Sequence, residues 1–265
     1  MGLDVDAPRP AAILDEGRFR PQALGSLAET LTTEPPSGGA REVLVEALLE
    51  EDLAEALARF RAGLGEVDGR VAAASWTNYA ATVLVPGLVA AWTVADVGVD
   101  ASPSNLCVHL DEGVPRRWRI RDPERVAEGD RERDRTIATL VDTLNPLFAD
   151  VEEHTGLAER VGWAHVGNVV AYLFDRLAEL GAIAPDDPDR ARLLAAEALP
   201  GTGSNPLQGT VERGSLGPGV DLDSYQVRTV CCLKRQLPGR APCASCPHID
   251  ADRRTELVAE RRGSG

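Results

Sequence analysis

Between Arg70 and Asp96 runs VAAASWTNYAATVLVPGLVAAWTVA, a stretch of 25 residues without one charged side chain. A chain cannot leave that much apolar surface in water, so its fold must wrap around this segment or place it in a bilayer. The length suffices to span. The composition points inward instead, because alanine dominates and Ser75, Asn78, three threonines, Pro86 and Gly87 stand where a strong spanning segment carries Leu, Ile and Phe. The expectation is a buried helical hairpin or broken helix, with transient membrane association as the lesser reading.

Around this segment the chain reads as α+β and mostly helical: a helical body with a small β-hairpin and a loop-rich C-terminal cysteine module. Residues 1–38 mix short apolar pieces with Pro and Gly, and read as a loosely ordered leader. The body covers 39–199. It opens on an amphipathic helix over 40–63, where Val43, Leu44, Leu48, Leu49, Leu53, Leu57 and Phe60 recur at helical spacing. NLCVHL (105–110) and PRRWRI (115–120) flank Asp-Glu-Gly, a turn signal, and predict the hairpin. Further helices are expected over 132–156, 157–181 and 187–198. From Pro200 to Asp223, Gly, Pro, Ser and Asn crowd into a long loop that leads to the cysteines and begins the module at 200–265.

Net charge narrows the partners. With 28 basic against 42 acidic residues the chain carries -14, which disfavours nucleic acid and anionic lipid as general partners. MGLDVDAPRP lacks the basic patch and apolar run of a secretory signal, so the expected location is cytoplasmic. Cysteines there are usually reduced and free for metal binding or redox work.

Four of the five cysteines fall in the stretch 231–246, CCLKRQLPGRAPCASC. Disulfides suit neither the compartment nor a vicinal pair, whose oxidation closes a strained ring. A structural zinc site finds one ordinary half in Cys243-x-x-Cys246. Adjacent Cys231 and Cys232, however, replace the second C-x₂₋₄-C that would aim both sulfurs inward. A [2Fe–2S] cluster takes two thiolates on each iron, a larger shell that tolerates divergent side chains. Pro238-Gly239 supplies the chain reversal, and Cys246-Pro247 matches the Cys-Pro step of bacterial ferredoxins.

The spacing CC-x₁₀-C-x₂-C ending in CP, preceded by Arg228-Thr229, resembles the C-terminal signature of the FhuF-type ferric-siderophore reductases. Residues 74–115 look like the family's helical region and short hairpin, and GNVVAYL (167–173) like its W-G-N-x-A helix. There are departures. Lys234-Arg235 follow the vicinal pair where the family often has an aromatic, Ala244-Ser245 stand where it often has Gly, and Trp163 lies four residues before Gly167.

The resemblance implies a [2Fe–2S] cluster on Cys231, Cys232, Cys243 and Cys246, and one-electron reduction of a ferric siderophore to release Fe(II). The hard oxygen donors of a siderophore hold Fe(II) far more weakly than Fe(III). No Gly-rich nucleotide fingerprint is present, so the electron is expected from a separate donor such as a ferredoxin or an NAD(P)H-dependent reductase. The net negative charge favours neutral or cationic hydroxamate complexes over trianionic catecholates. Arg116, Arg117, Arg119 and Arg121 are either a local basic cluster able to override that field or a solvated hairpin edge. Lys234 and Arg235 are candidates for raising the cluster potential, with Arg240 beside them, and His248 for a hydrogen bond to the cluster.

Three other readings stay open. They are a non-enzymatic iron–sulfur electron carrier or sensor, a structural zinc protein with four cysteine ligands, and a siderophore-biosynthesis accessory region, which would not need the cysteines. His109 and His165 read as packed or surface residues, Cys107 as a small buried apolar residue, and Trp76, Tyr79, Trp92 and Trp163 as core.

Overall fold

The computed structural model describes residues 31–33, 41–95, 98–122, 130–218 and 224–263, so nearly all of the leader expected over 1–38 lies outside the described residues. In chain order the elements are β1 (Leu31–Thr32), β2 (Arg41–Leu44), α1 (residues 45–64), α2 (Gly69–Ala95), β3 (Leu106–Asp111) and β4 (Val114–Ile120). There follow α3 (Asp130–Thr155), α4 (Glu159–Glu179), α5 (Pro188–Leu194), β5 (Val211–Ser215), β6 (Ser224–Arg228) and α6 (Ala251–Gly263).

The uncharged stretch is α2, one continuous helix of 27 residues rather than a hairpin or a broken helix. Pro86 sits inside it and removes one backbone hydrogen bond. Packing offsets that loss, because α1, α3, α4, β1 and β4 all lie against α2. Its alanines explain how so many neighbours fit: Ala73, Ala74, Ala80, Ala81 and Ala91 are buried, and their small side chains let other backbones close in. Gly87 does the same beside the proline, where an added Cβ would stand 2.6 Å from the Cβ of Leu31. By length and composition α2 is long enough to cross a membrane, yet 67% of its apolar window is buried inside the protein.

A four-stranded sheet in the order β1-β4-β3-β2 covers one side of α2. Register places Leu31, Trp118, Val108 and Val43 in one cross-strand row, all buried. The β3–β4 turn carries Glu112 at φ 49° and Gly113 at φ 78°, the left-handed pair that a tight two-residue hairpin requires. Its tip presses on α1, since a Cβ on Gly113 would lie 2.3 Å from the Ala56 carbonyl oxygen, and Trp76 Nε1 donates to Gly113 O at 2.8 Å.

Residues 41–44, expected as the first turn of a helix, form β2. Their helical spacing is real, but Val43 pairs with Val108 and Glu42 with His109 from more than sixty positions away, and that pairing prevails. The Glu42 carboxylate accepts from Arg119 Nε at 2.7 Å and Nη2 at 2.5 Å, and His109 Nε2 lies 2.6 Å from it. The Arg119 hydrogen bond, with His109 assisting, lowers Glu42 from 4.5 to about 2. A carboxylate depressed in the folded state stabilises above its unfolded value and stops doing so as pH falls through the folded one. Between 4.5 and about 2 the protein is therefore expected to lose stability. With screening by water allowed for, the loss is about 2 kcal/mol. Urea midpoints measured above and within that window check it, and Glu42→Gln should flatten the slope.

Among the described residues β1 covers β4 only at Trp118 and Arg119, so Arg116 and Arg117 are exposed on the hairpin and Arg121 is exposed just after it. Arg116 pairs with Asp111, Arg119 with Glu42, and Arg121 Nη1 donates to Ser104 O. Trp76, Trp92 and Trp163 are core, as expected. Tyr79 is not, being 42% exposed with its ring edge against Phe60. Cys107 is buried as expected, with its sulfur 3.8 Å from Arg119 Nη2.

The segment expected as a loop over 200–223 contains β5, which pairs antiparallel with β6 from Val211↔Arg228 to Ser215↔Ser224. VERGS has no apolar alternation, so nothing in it announces a strand. This two-stranded sheet lies on α4 and carries the chain into the cysteines.

Candidate metal centre

β6 ends at Arg228-Thr229, and both residues fasten the start of the cysteine module. The backbone N–H of Arg228 donates to Ser245 O at 2.9 Å, while Thr229 N–H donates to Thr210 O and its hydroxyl to Gly209 O. Cys231 and Cys232 come next, then Leu233 at φ 55°, a left-handed conformation unusual for a branched side chain. That turn starts the short 3₁₀ segment Lys234–Gln236. Leu233 and Leu237 pack on Val67, Val71 and Ala72 near the start of α2, which anchors the first half of the module to the body. Gly239 at φ 68° then reverses the chain after Pro238, as the sequence indicates.

The second half is a turn closed by Cys246 N–H to Cys243 O at 3.0 Å. Arg254 of α6 clasps it from behind. Its Nε donates to Ala244 O at 3.1 Å and its Nη2 to Cys246 O at 3.2 Å and Ile249 O at 3.1 Å. Asp250 caps α6 by accepting from Arg253 N–H, so Arg254 is held on the first turn of a well-started helix.

These two halves bring sulfur to sulfur. Cys232 Sγ and Cys243 Sγ are 3.7 Å apart and buried, and Cys246 packs with them under Ile249. Two thiolates on one tetrahedral metal, at about 2.3 Å each, stand about 3.8 Å apart, so this pair has the separation of a ligand pair. Cys231 is half-buried and acts on Cys246 electrostatically. All five cysteines are free thiols. Among the described residues no three His, Cys, Asp or Glu donors close to the spacing of a single ion, so the tight contact is pairwise.

The pair gives up its first proton easily. Hydrogen bonding from Cys232 lowers Cys243, with help from Arg228, Ser245 Oγ and Lys234, while the same contact and burial raise Cys232. Burial raises Cys246, opposed by the His248 backbone N–H. Lys234 and Arg235 are exposed and act on Cys243 and Cys246 through charge. His248 acts through its backbone N–H on Cys246, and its side chain is exposed. Lys234 N–H serves Cys232 in the same way.

Arg228, whose N–H holds Ser245 O, also belongs to a polar group that sequence reading leaves unconnected. Arg228 is 5% exposed, with Nη1 2.9 Å from His165 Nδ1 and Nη2 3.3 Å from Asn78 Oδ1. His165 is fully buried on α4, and burial followed by the Arg228 charge holds it well below its usual value, so it is a neutral acceptor. The only trace in the sequence is the position of Arg228 three residues before the vicinal pair. Arg254 and Ser245 leave no trace.

The family described as "Ferric iron reductase FhuF-like transporter" matches residues 74–217, more than half of the chain, from α2 through β5. The four clustered cysteines lie beyond that match. No curated protein matches the chain. Among solved structures, aerobactin synthetase IucC from a hypervirulent pathotype of Klebsiella pneumoniae aligns with TM-score 0.47 and 16% identity, covering 65% of this chain and 36% of that one. Aerobactin synthetase IucA from the same source aligns with TM-score 0.47 and 15% identity, covering 69% and 37%. The chain thus spans little more than a third of the length of those solved structures. On the match across its helical body and hairpin, the chain belongs to the FhuF-like ferric iron reductase family.

Proposed function

We propose that Cys231, Cys232, Cys243 and Cys246 hold a [2Fe–2S] cluster and that the protein reduces ferric siderophores in the cytoplasm, one electron per iron, releasing Fe(II). The observation that carries this reading is the buried Cys232–Cys243 pair at ligand separation, with Cys246 packed against it, in a chain of a ferric iron reductase-like family. A bound [2Fe–2S] cluster supplies reversible one-electron chemistry. The chain's own residues do the rest. Arg228, Lys234 and Ser245 favour ionised sulfur at Cys243, and the backbone N–H groups of Lys234 and His248 favour it at Cys232 and Cys246. Burial of three sulfurs keeps water from them, while half-buried Cys231 leaves one side open for approach.

The electron comes from a separate donor, a ferredoxin or NAD(P)H-dependent reductase. Hydroxamate complexes are the favoured substrates. The chain carries -14, and two of the four arginines on β4 and just after it are already paired with carboxylates, which weakens a local override of that field.

Protein purified without oxygen should be red-brown with iron and acid-labile sulfide in equal amounts. After chemical reduction, adding a ferric trihydroxamate should reoxidise it and deliver one Fe(II) per electron to a ferrous chelator. Zinc without sulfide would establish a structural site instead. A loaded protein that no ferric chelate reoxidises would be an electron carrier. Catecholate reduced as fast as hydroxamate would end the substrate assignment.

A further inference from the structure

Arg228 is a buried cation. Among the described residues no acidic side chain pairs with it, and its two hydrogen-bond partners, His165 and Asn78, are neutral. Its Nε is buried with no partner at all, as are His165 Nε2 and the side-chain oxygens of Asn168 and Gln226. An unpaired buried charge is among the costliest features a fold can contain, and it persists where an opposite charge is supplied. Cys231 and Cys232 follow Arg228 by three and four positions in the chain, and their sulfurs are groups that can become negative. Its backbone N–H meanwhile grips Ser245 O, inside the second cysteine pair.

We propose that Arg228 is the internal counter-charge of the metal centre, aimed by Asn78 of α2 and His165 of α4, and that it sets the reduction potential of the group held there. This rests on the metal-centre reading above. Reduction adds one negative charge to that group, so a fixed cation near it favours the reduced form. The exposed Lys234 and Arg235 act through water and are screened, whereas Arg228 is not. Asn78 and His165 are positioning residues: they fix the guanidinium and touch no sulfur.

The test compares Arg228→Met and Arg228→Lys with the wild-type full chain, each prepared without oxygen. Iron and sulfide content, midpoint potential and thermal midpoint are measured with and without the metal. Arg228→Met should load and become harder to reduce by about tenfold or more in equilibrium constant, which is about 59 mV for one electron. Arg228→Lys should recover most of that shift. A loaded Arg228→Met protein with the wild-type potential overturns the proposal. If Arg228→Met does not load, the metal-free proteins decide it. A buried cation left with at most one thiolate as counter-charge makes the metal-free wild type less stable than metal-free Arg228→Met, and the reverse order shows a purely structural arginine. Absence of iron and sulfide from the wild type is a separate result, and refutes the metal-centre reading itself.

Discussion

Cys232→Ser and Cys243→Ser proteins should come off purification folded and colourless. Each change removes one member of the 3.7 Å pair, and a serine hydroxyl at ordinary pH is a poor substitute for a soft thiolate. Iron and sulfide per chain are expected to fall more than tenfold, on the scale of losing a metal ligand outright. Helical content should hold, because the sulfurs form their own small cluster apart from the main core. Cys107→Ser is the matched control. That sulfur is equally buried but sits on β3 beside Arg119, so loading should stay at the wild-type level while stability drops by about 1 kcal/mol. Full loading with both members of the vicinal pair changed to serine would sink the assignment of the ligands.

Gly167→Ala is expected to be strongly destabilising. A Cβ there would lie 2.0 Å from Thr210 Oγ1, closer than any real contact, and the neighbour is no loose surface side chain. The Thr210 hydroxyl donates to Leu207 O at 2.7 Å, and its carbonyl receives Thr229 N–H just before the cysteines. α4 and the β5–β6 sheet must therefore separate, at about 3 kcal/mol of stability. His165 lies half a turn before Gly167, so the Arg228 contact shifts too, and loading should fall along with stability. Urea unfolding and iron content measure the two effects. Adding Thr210→Ala relieves most of the overlap and should restore both; a Gly167→Ala protein as stable as wild type would refute the close-approach account.

The glycine also shows what a sequence can and cannot announce. GNVVAYL reads as a helix with a family-like glycine, but the reason for glycine lies at Thr210, forty-three positions on. Features closed within a short stretch are legible: the Asp-Glu-Gly hairpin, the Pro238-Gly239 reversal, and the convergence of the cysteines, since each depends on neighbours in the chain. Features completed by a distant partner are not. Residues 41–44 have helical spacing and become a strand because β3 is waiting for them. VERGS becomes a strand only through β6. Pro86 suggests a break, yet the packing around α2 holds the helix straight through. Asn78, His165 and Arg228 come from three separate elements, and no spacing rule links them. His165 reads as packed and is; what it packs against is invisible in the sequence.

The two halves of the cysteine module are moored to different parts of the molecule. Leu233 and Leu237 tie the vicinal pair to α2, whereas the Cys243–Cys246 turn is held by Arg254 of α6 and by the Arg228 N–H of β6 on Ser245 O. The spacing of the sulfurs therefore depends on two separate attachments, and a change confined to the α6 contacts would leave the seat of Leu233 and Leu237 on the body in place.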